Sequence, residues 1–184
     1  MTEQEAKKLL SEKVKNKNLV KHCLAVGVIM EGLAEKLNQD AANWKIAGIL
    51  HDIDYETTKD DPQKHSLEGA AILEAMGLSK EITEAVKTHN EMHGIAPDSL
   101  MAKALYACDP LSGLIVAATL VLPTKKISDL TADNIVNRFY EKSFARGANR
   151  DIIAKCQDYL NLSLKDFSSI GLEAMQKNSQ ELEL

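Results

Sequence analysis

Apolar residues recur at three- and four-residue spacing along most of the chain, the period of an α-helix. No stretch alternates with the period of two that a half-buried strand requires. The spacing predicts helices at about 3–15, 18–37, 40–53, 64–76, 79–90, 98–108, 111–121, 131–142, 148–159 and 163–178. Asp40, Ser79, Asp98, Thr131 and Ser163 stand where N-caps belong, each able to accept from amides that a first turn leaves unpaired. Gly77, Gly94 and Pro123 stand at matching stops. The fold class that follows is all-α.

Polar punctuation divides this pattern. Tyr55 to Gln63 is the most polar and irregular stretch and reads as a loop. Pro123 to Ser128 is the best internal seam of a single domain over 1–184, with a core at about 16–122 and a C-terminal helical extension at about 123–184. Residues 177–184 are expected to fray.

Composition then narrows the partners. The 22 basic against 27 acidic residues give a net charge of −5, and aromatics are only 4% of the chain. Neither a basic face for phosphate nor a base-stacking platform is indicated, so no nucleic-acid strand is expected as a partner. Cys23, Cys108 and Cys156 are far apart, with no CxxC pair, which fits a reducing compartment rather than a disulfide scaffold. The N-terminus is acidic and polar, unlike a signal peptide. The apolar run Leu111 to Leu122 is too short and interrupted to span a bilayer. The expectation is a soluble, cytoplasmic protein with no membrane partner, for which a homodimer is an open form of assembly.

Five histidines stand out: His22, His51, His65, His89 and His93. His22 is in line with Leu19, Val26, Ile29 and Leu33, and His89 follows the face of Ile82 and Val86. His51 and Asp52 close a helix, His65 precedes Gly69 by one turn, and Asp109 follows Met101, Ala102, Leu105 and Tyr106. Singly, a histidine on an apolar face is more often a hydrogen-bonded core residue than a ligand, by about two to one. Together, four histidines and two aspartates turned inward are costly unless something neutralises and organises them, and metal ions do so. Imidazole and carboxylate without thiolate suit iron, manganese, cobalt or zinc. The two oxygens of Asp52 are able to bridge two ions, an arrangement that serves in-line phosphoryl displacement.

The order His22, His51-Asp52, Asp109 resembles the H…HD…D signature of the HD superfamily of metal-dependent phosphohydrolases. The stretch HDIDYETTKDDPQKHSLEGAAILEAMGLSKEITEAVKTHNE is similar to the HDIG-type subgroup, and the likeness covers about residues 18–122. It implies an HD-domain helical bundle in which His22, His51, Asp52 and Asp109 hold one metal while His65 and His89 join Asp52 around a second. It further implies two divalent or trivalent ions, iron or manganese ahead of zinc, cobalt, nickel or magnesium. A hydroxide bridging them would be the nucleophile, with Asp52 the catalytic carboxylate. His93 has no counterpart and reads as a surface residue or one that supports a ligand. Asp54 and Tyr55 stand where HDIGK has glycine and lysine, His89-Asn90-Glu91 replaces HHE, and the GYP motif is missing, all of which argue against cyclic-di-GMP as substrate. The ligand set is closer to small HD hydrolases of nucleotide phosphates, including those that split diadenosine tetraphosphate symmetrically.

The function expected is therefore cleavage of a phosphoester or phosphoanhydride in a small phosphorylated substrate, plausibly a nucleotide. Arg146 and Arg150, at the start of a helix, are candidate phosphate contacts, with Lys87 and Tyr55 further candidates near the ligands. For Lys64 and Lys87 a solvated surface role is somewhat favoured; Asp60 and Asp61 read as helix caps ahead of a general acid for the leaving group, and Cys23 and Cys108 as packing residues. Two other readings stand beside this one: an HD-type di-iron oxygenase, since the same ligands serve both chemistries, and a non-catalytic nucleotide-binding module.

Overall fold

The computed structural model describes all residues from Met1 to Leu184 and contains helices, turns and no strand. Chain order is α1 (Glu3–Lys13), α2 (Lys17–Lys36), α3 (Ala41–Leu50), α4 (Tyr55–Thr58), α5 (Leu67–Ala75), α6 (Lys80–Thr88), α7 (Leu100–Leu120), α8 (Ala132–Tyr140), α9 (Arg150–Ala154), α10 (Cys156–Leu160), α11 (Leu164–Lys177) and α12 (Ser179–Leu182). Short 3₁₀ turns occupy Glu91–His93 and Ile127–Asp129. The fold is all-α. Asp40, Ser79, Thr131 and Ser163 cap α3, α6, α8 and α11 as expected. For α7 the cap is Ser99 rather than Asp98: its hydroxyl accepts from the Ala102 amide.

One hydrophobic cluster runs from Ala6 to Leu182. The central helix is α2, whose Cys23, Val26, Ile29, Met30 and Leu33 are all fully buried. It packs on α3, α7 and α11. Between α2 and α3 the backbones touch: a Cβ on Gly48 would lie 2.7 Å from Gly27 Cα, and one on Gly27 would lie 2.7 Å from Ile49 Cγ1. This contact draws the first half of α2, which carries His22, toward the end of α3, where His51 and Asp52 follow.

Several elements depart from the spacing. The helices expected at 98–108 and 111–121 are one, α7, with Pro110 inside it. Proline removes one hydrogen bond, but Leu105, Cys108, Leu111, Leu114 and Ile115 bury a continuous face across it, and that burial outweighs the loss. At 21 residues α7 is long and apolar enough to cross a membrane by length and composition, whereas the run Leu111 to Leu122 alone is not. More than half of that span is buried inside the bundle, as in a core helix. The segment 148–159 is instead two short helices broken at Lys155. Tyr55–Thr58 forms a helical turn within the expected loop. The tail does not fray: Leu182 is buried, and Glu181 and Glu183 pair with Lys7 and Lys21, each at 2.5 Å.

Candidate metal centre

His22 lies in α2 and Asp109 in α7, but the other histidines sit at helix ends. His51 caps the C-terminus of α3, His89 caps that of α6, and His65 lies in the turn before α5. The two caps repeat one geometry. His51 Nδ1 lies 2.8 Å from Gly48 O, and His89 Nδ1 lies 2.6 Å from Val86 O, so each ring binds a carbonyl in the last turn of its own helix; Val86 O also accepts the His89 amide, at 3.5 Å. Both rings also stand at the negative pole of a helix, which favours a cation beside them.

The remaining rings are tied in the same sense. His65 Nδ1 lies 3.0 Å from Asp54 Oδ1, and His22 Nδ1 lies 3.0 Å from Ser112 Oγ. Ser112 donates its own proton to Asp109 O at 2.8 Å, leaving its oxygen to accept from His22. All four partners accept at Nδ1, so each neutral ring carries its proton there and presents a lone pair at Nε2.

Those lone pairs converge on Asp52, whose two oxygens divide them. Oδ2 lies 3.7 Å from His22 Nε2 and 3.4 Å from His51 Nε2, while Oδ1 lies 3.3 Å from each of His65 and His89 Nε2. Asp109 Oδ1 joins the first group, 3.0 Å from His22 Nε2 and 3.7 Å from His51 Nε2. His51 Nε2 is buried with no hydrogen-bond partner, a condition proteins rarely tolerate and one that a bound cation relieves. The candidate ligand atoms of His22, His51 and Asp109 lie within 4.8 Å of one another, as do those of His51, Asp52 and His89. Imidazole and carboxylate donors at this spacing fit a metal ion.

A family model described as HD domain matches residues 19–117, the stretch that carries all six of these groups. The chain belongs to the HD domain family. As a member it is a metal-dependent hydrolase of the HD superfamily. Curated relatives include ribonuclease Y of Oleidesulfovibrio alaskensis, 31% identical over 74% of this chain and 27% of its own length. The ribonucleases Y of Lawsonia intracellularis and Desulfotalea psychrophila are 29% and 32% identical, over 73% and 76% of this chain and 26% and 27% of their own lengths. The chain thus spans about a quarter of the length of these relatives. No solved structure matches.

Relatives of this HD domain that carry the name ribonuclease overturn two expectations, that of a small phosphorylated substrate and that of no nucleic-acid strand. Net charge and aromatic content describe the whole surface. A centre of this kind meets phosphate through its own ions and needs no basic face.

The cluster's charges are strongly coupled. Burial opposes protonation of His51, yet Asp52 and Asp109 outweigh it and raise its pKa to about 9. Burial likewise opposes protonation of His65, and Asp52 and Asp54 raise it to about 9. Burial alone would raise Asp52, but His51 and then the hydrogen bonds of His65 and His89 hold it well below the ordinary carboxylate range. Asp109 is lowered in the same way, against its burial, by His22 and His51. Burial pushes the Cys23 and Cys108 thiols well up, which fits packing residues.

The candidate substrate contacts fare differently. Tyr55 stands edge-on to His65 at 5.2 Å between ring centres and is 41% exposed. Arg146 is exposed between Ala145 and Gly147, which line a hollow beside His22 and Asp109. Arg150 is spent elsewhere: its guanidinium donates to the carbonyls of Arg138, Phe139, Phe144, Ala145 and Ala148, so it braces that loop and has no donor left for a phosphate. Lys87 pairs with Glu84 at 3.7 Å and lines neither hollow beside the centre. Its expected role therefore gives way to that of a surface lysine. Lys64 likewise pairs with Asp61. His93 supports a ligand, with Nε2 2.7 Å from His65 O.

Three residues at or beside the site escaped the sequence reading: Ser112, Asp54 and Lys59. Ser112 is one turn past Asp109, a spacing that can mark a partner. Asp54 was visible only as a departure from the HDIG pattern. Lys59 lay in a stretch read as loop.

Proposed function

We propose that this HD domain hydrolyses a phosphodiester bond of an RNA strand drawn across the centre. The observation that carries this reading is the presence of an open hollow on each side of His22. One, of about 490 Å³, is lined by Asn16, His22, Asp52, Tyr55 and Lys59 among others. The other, of about 310 Å³, is lined by His22, Asp109, Pro110, Gly113 and the loop residues Ala145, Gly147 and Ala148. A strand that enters one hollow passes the ligand cluster and leaves by the other. The names of the relatives favour the same polymer.

In this reading His22, His51, Asp52 and Asp109 hold one ion and His65, His89 and Asp52 a second, with iron or manganese as the first candidates. When bound, such ions lower the pKa of a water and neutralise charge on the phosphoryl oxygens in an in-line displacement. Asp52 is central because its two oxygens face the two histidine groups. The exposed ring of Tyr55 offers a face for stacking on a base, and the Lys59 ammonium a contact for the neighbouring phosphate. Arg146 serves the phosphates on the other side.

The test is a cleavage assay with protein loaded separately with manganese, iron or zinc. It uses an end-labelled RNA oligonucleotide beside a panel of nucleoside mono-, di- and triphosphates. Scission of the oligonucleotide, abolished in Asp52→Ala, is expected. Phosphate release from the nucleotide panel with the oligonucleotide left intact under every metal would overturn the reading.

A further inference from the structure

Outside the ligand cluster the most fully engaged buried carboxylate is Asp54, which is 1% exposed. Its Oδ2 accepts from the Ser66 and Gly69 amides, each at 2.8 Å, and its Oδ1 from His65 Nδ1 at 3.0 Å. The two amides belong to the start of α5, where Ser66 makes no side-chain cap of its own. Asp54 therefore caps α5 from outside the helix, eleven positions before His65 in sequence, while binding the ring that precedes it.

Three features show that the local chain is built around this carboxylate. Ser66 has φ of +71°, a left-handed conformation unfavourable for a side chain, and it is held by the hydrogen bond its N–H donates to Asp54 Oδ2 and by the one its hydroxyl donates to Lys87 O at 2.9 Å. At Gly69 a Cβ would lie 3.1 Å from the Asp54 carboxyl carbon, so any larger residue at position 69 would press the carboxylate away from the helix by a few tenths of an ångström. The carbonyl of Asp54 is itself anchored by the hydroxyls of Thr57 and Thr58, at 2.8 and 2.9 Å.

We propose that Asp54 is a positioning residue that assembles the His65–His89 half of the centre. Its Oδ1 keeps the proton of His65 on Nδ1 and aims the Nε2 lone pair at Asp52 Oδ1. A carboxylate behind a ligating imidazole fixes the ring and strengthens it as a donor. His22, His51 and His89 receive weaker neutral acceptors at the same place, so Asp54 sets His65 apart from them. The proposal rests on the reading of His65 as a metal ligand and deepens it.

The experiment compares full-length wild type, Asp54→Asn and His65→Ala by metal analysis and by titration calorimetry with zinc or manganese. Asparagine preserves an oxygen for the two α5 amides but turns an N–H group toward His65. The wild type is expected to bind two ions and His65→Ala one. Asp54→Asn is expected to keep the first ion's affinity within about twofold and to lose about 10- to 100-fold at the second. Two ions bound by Asp54→Asn with wild-type affinities, where His65→Ala has lost one, would overturn the role of Asp54 alone. Retention of both ions by His65→Ala would overturn the ligand reading beneath it. Nitrogen-15 NMR of zinc-loaded wild type supplies a measurement independent of any variant. A His65 proton on Nδ1 supports the proposal, and one on Nε2 defeats it.

Discussion

At the scale of single residues, the centre is organised by what stands behind each histidine. Gly48 O, Val86 O, Asp54 Oδ1 and Ser112 Oγ occupy the four Nδ1 positions, so every ring turns its other nitrogen inward. The inward nitrogens and the carboxylates also compete for protons. With pKa values of about 9, His51 and His65 are protonated at neutral pH in metal-free protein. Metal requires the neutral rings, so binding at pH 7.5 should release about two protons, visible as a buffer-dependent heat in calorimetry. Affinity should rise with pH up to about 9 and then level off. The sign for stability is opposite. Both pKa values lie above the unfolded value, so their contribution is complete below about pH 6.5 and is lost as pH rises through about 9. Thermal unfolding of EDTA-treated protein should therefore move to lower temperature between pH 6.5 and 9.5, and a flat profile would rule out this coupling. The six inward groups were legible in the sequence because helical spacing and chain order both mark them. Ser112 and Asp54 were not, because their partners lie 90 and 11 residues away and meet them only in the folded chain.

Elements hold those residues at the required separations. The contact of Gly27 with Gly48 brings α2 against α3, and a methyl group at position 48 has nowhere to go. Gly48→Ala should cost about 1–3 kcal/mol by overpacking and push His22 away from His51, weakening metal binding beyond the loss of stability. Gly113→Ala, in α7 with no atom near its Cβ position, is the control: helix propensity predicts a gain of up to about 1 kcal/mol. Equal melting temperatures for the two variants would refute the close-packing argument. Arg150 gives a second test at this scale. Removing its five bonds to carbonyls in Arg150→Ala should release the 141–149 loop from the end of α8, seen as faster proteolysis there while α2 and α7 remain protected. Unchanged cleavage kinetics would show that the loop is held by other contacts. Element type is readable along nearly the whole chain from its three- and four-residue spacing, and capped starts such as Asp40 and Ser163 with it, but several other element ends are not. Pro110 looked like a stop because a local rule cannot register the apolar face continuing past it onto the bundle. His65 looks helical because the spacing starts the helix at 64, whereas α5 begins three residues later at Leu67, after a Ser66 held in a left-handed conformation by Asp54.

For the whole molecule the question is how a chain of net charge −5 would engage the RNA strand proposed for it. Composition alone points away from a strand, and the names of the relatives overturn that expectation: net charge averages over the whole surface, whereas a strand would meet only the two hollows beside His22. At those two hollows the exposed cations are few. Lys59 lies in the hollow on the Tyr55 side, and Arg146 lies between two residues that line the hollow beyond Asp109. If a single strand crosses both hollows, each of these side chains displaces a counterion from one phosphate. The logarithm of affinity then falls with the logarithm of salt concentration, with about 0.7 of slope per contact. The double substitution Lys59→Ala with Arg146→Ala should therefore flatten the salt dependence by about 1.4, measured as fluorescence anisotropy of a phosphorothioate RNA oligonucleotide on metal-loaded protein. Lys87→Ala should leave the slope unchanged, because that lysine faces Glu84 and lines neither hollow. The single variants locate the path: a full effect from Lys59→Ala and none from Arg146→Ala would confine the strand to the Tyr55 side. A double variant with the wild-type slope would show that no strand crosses both hollows by way of these two cations.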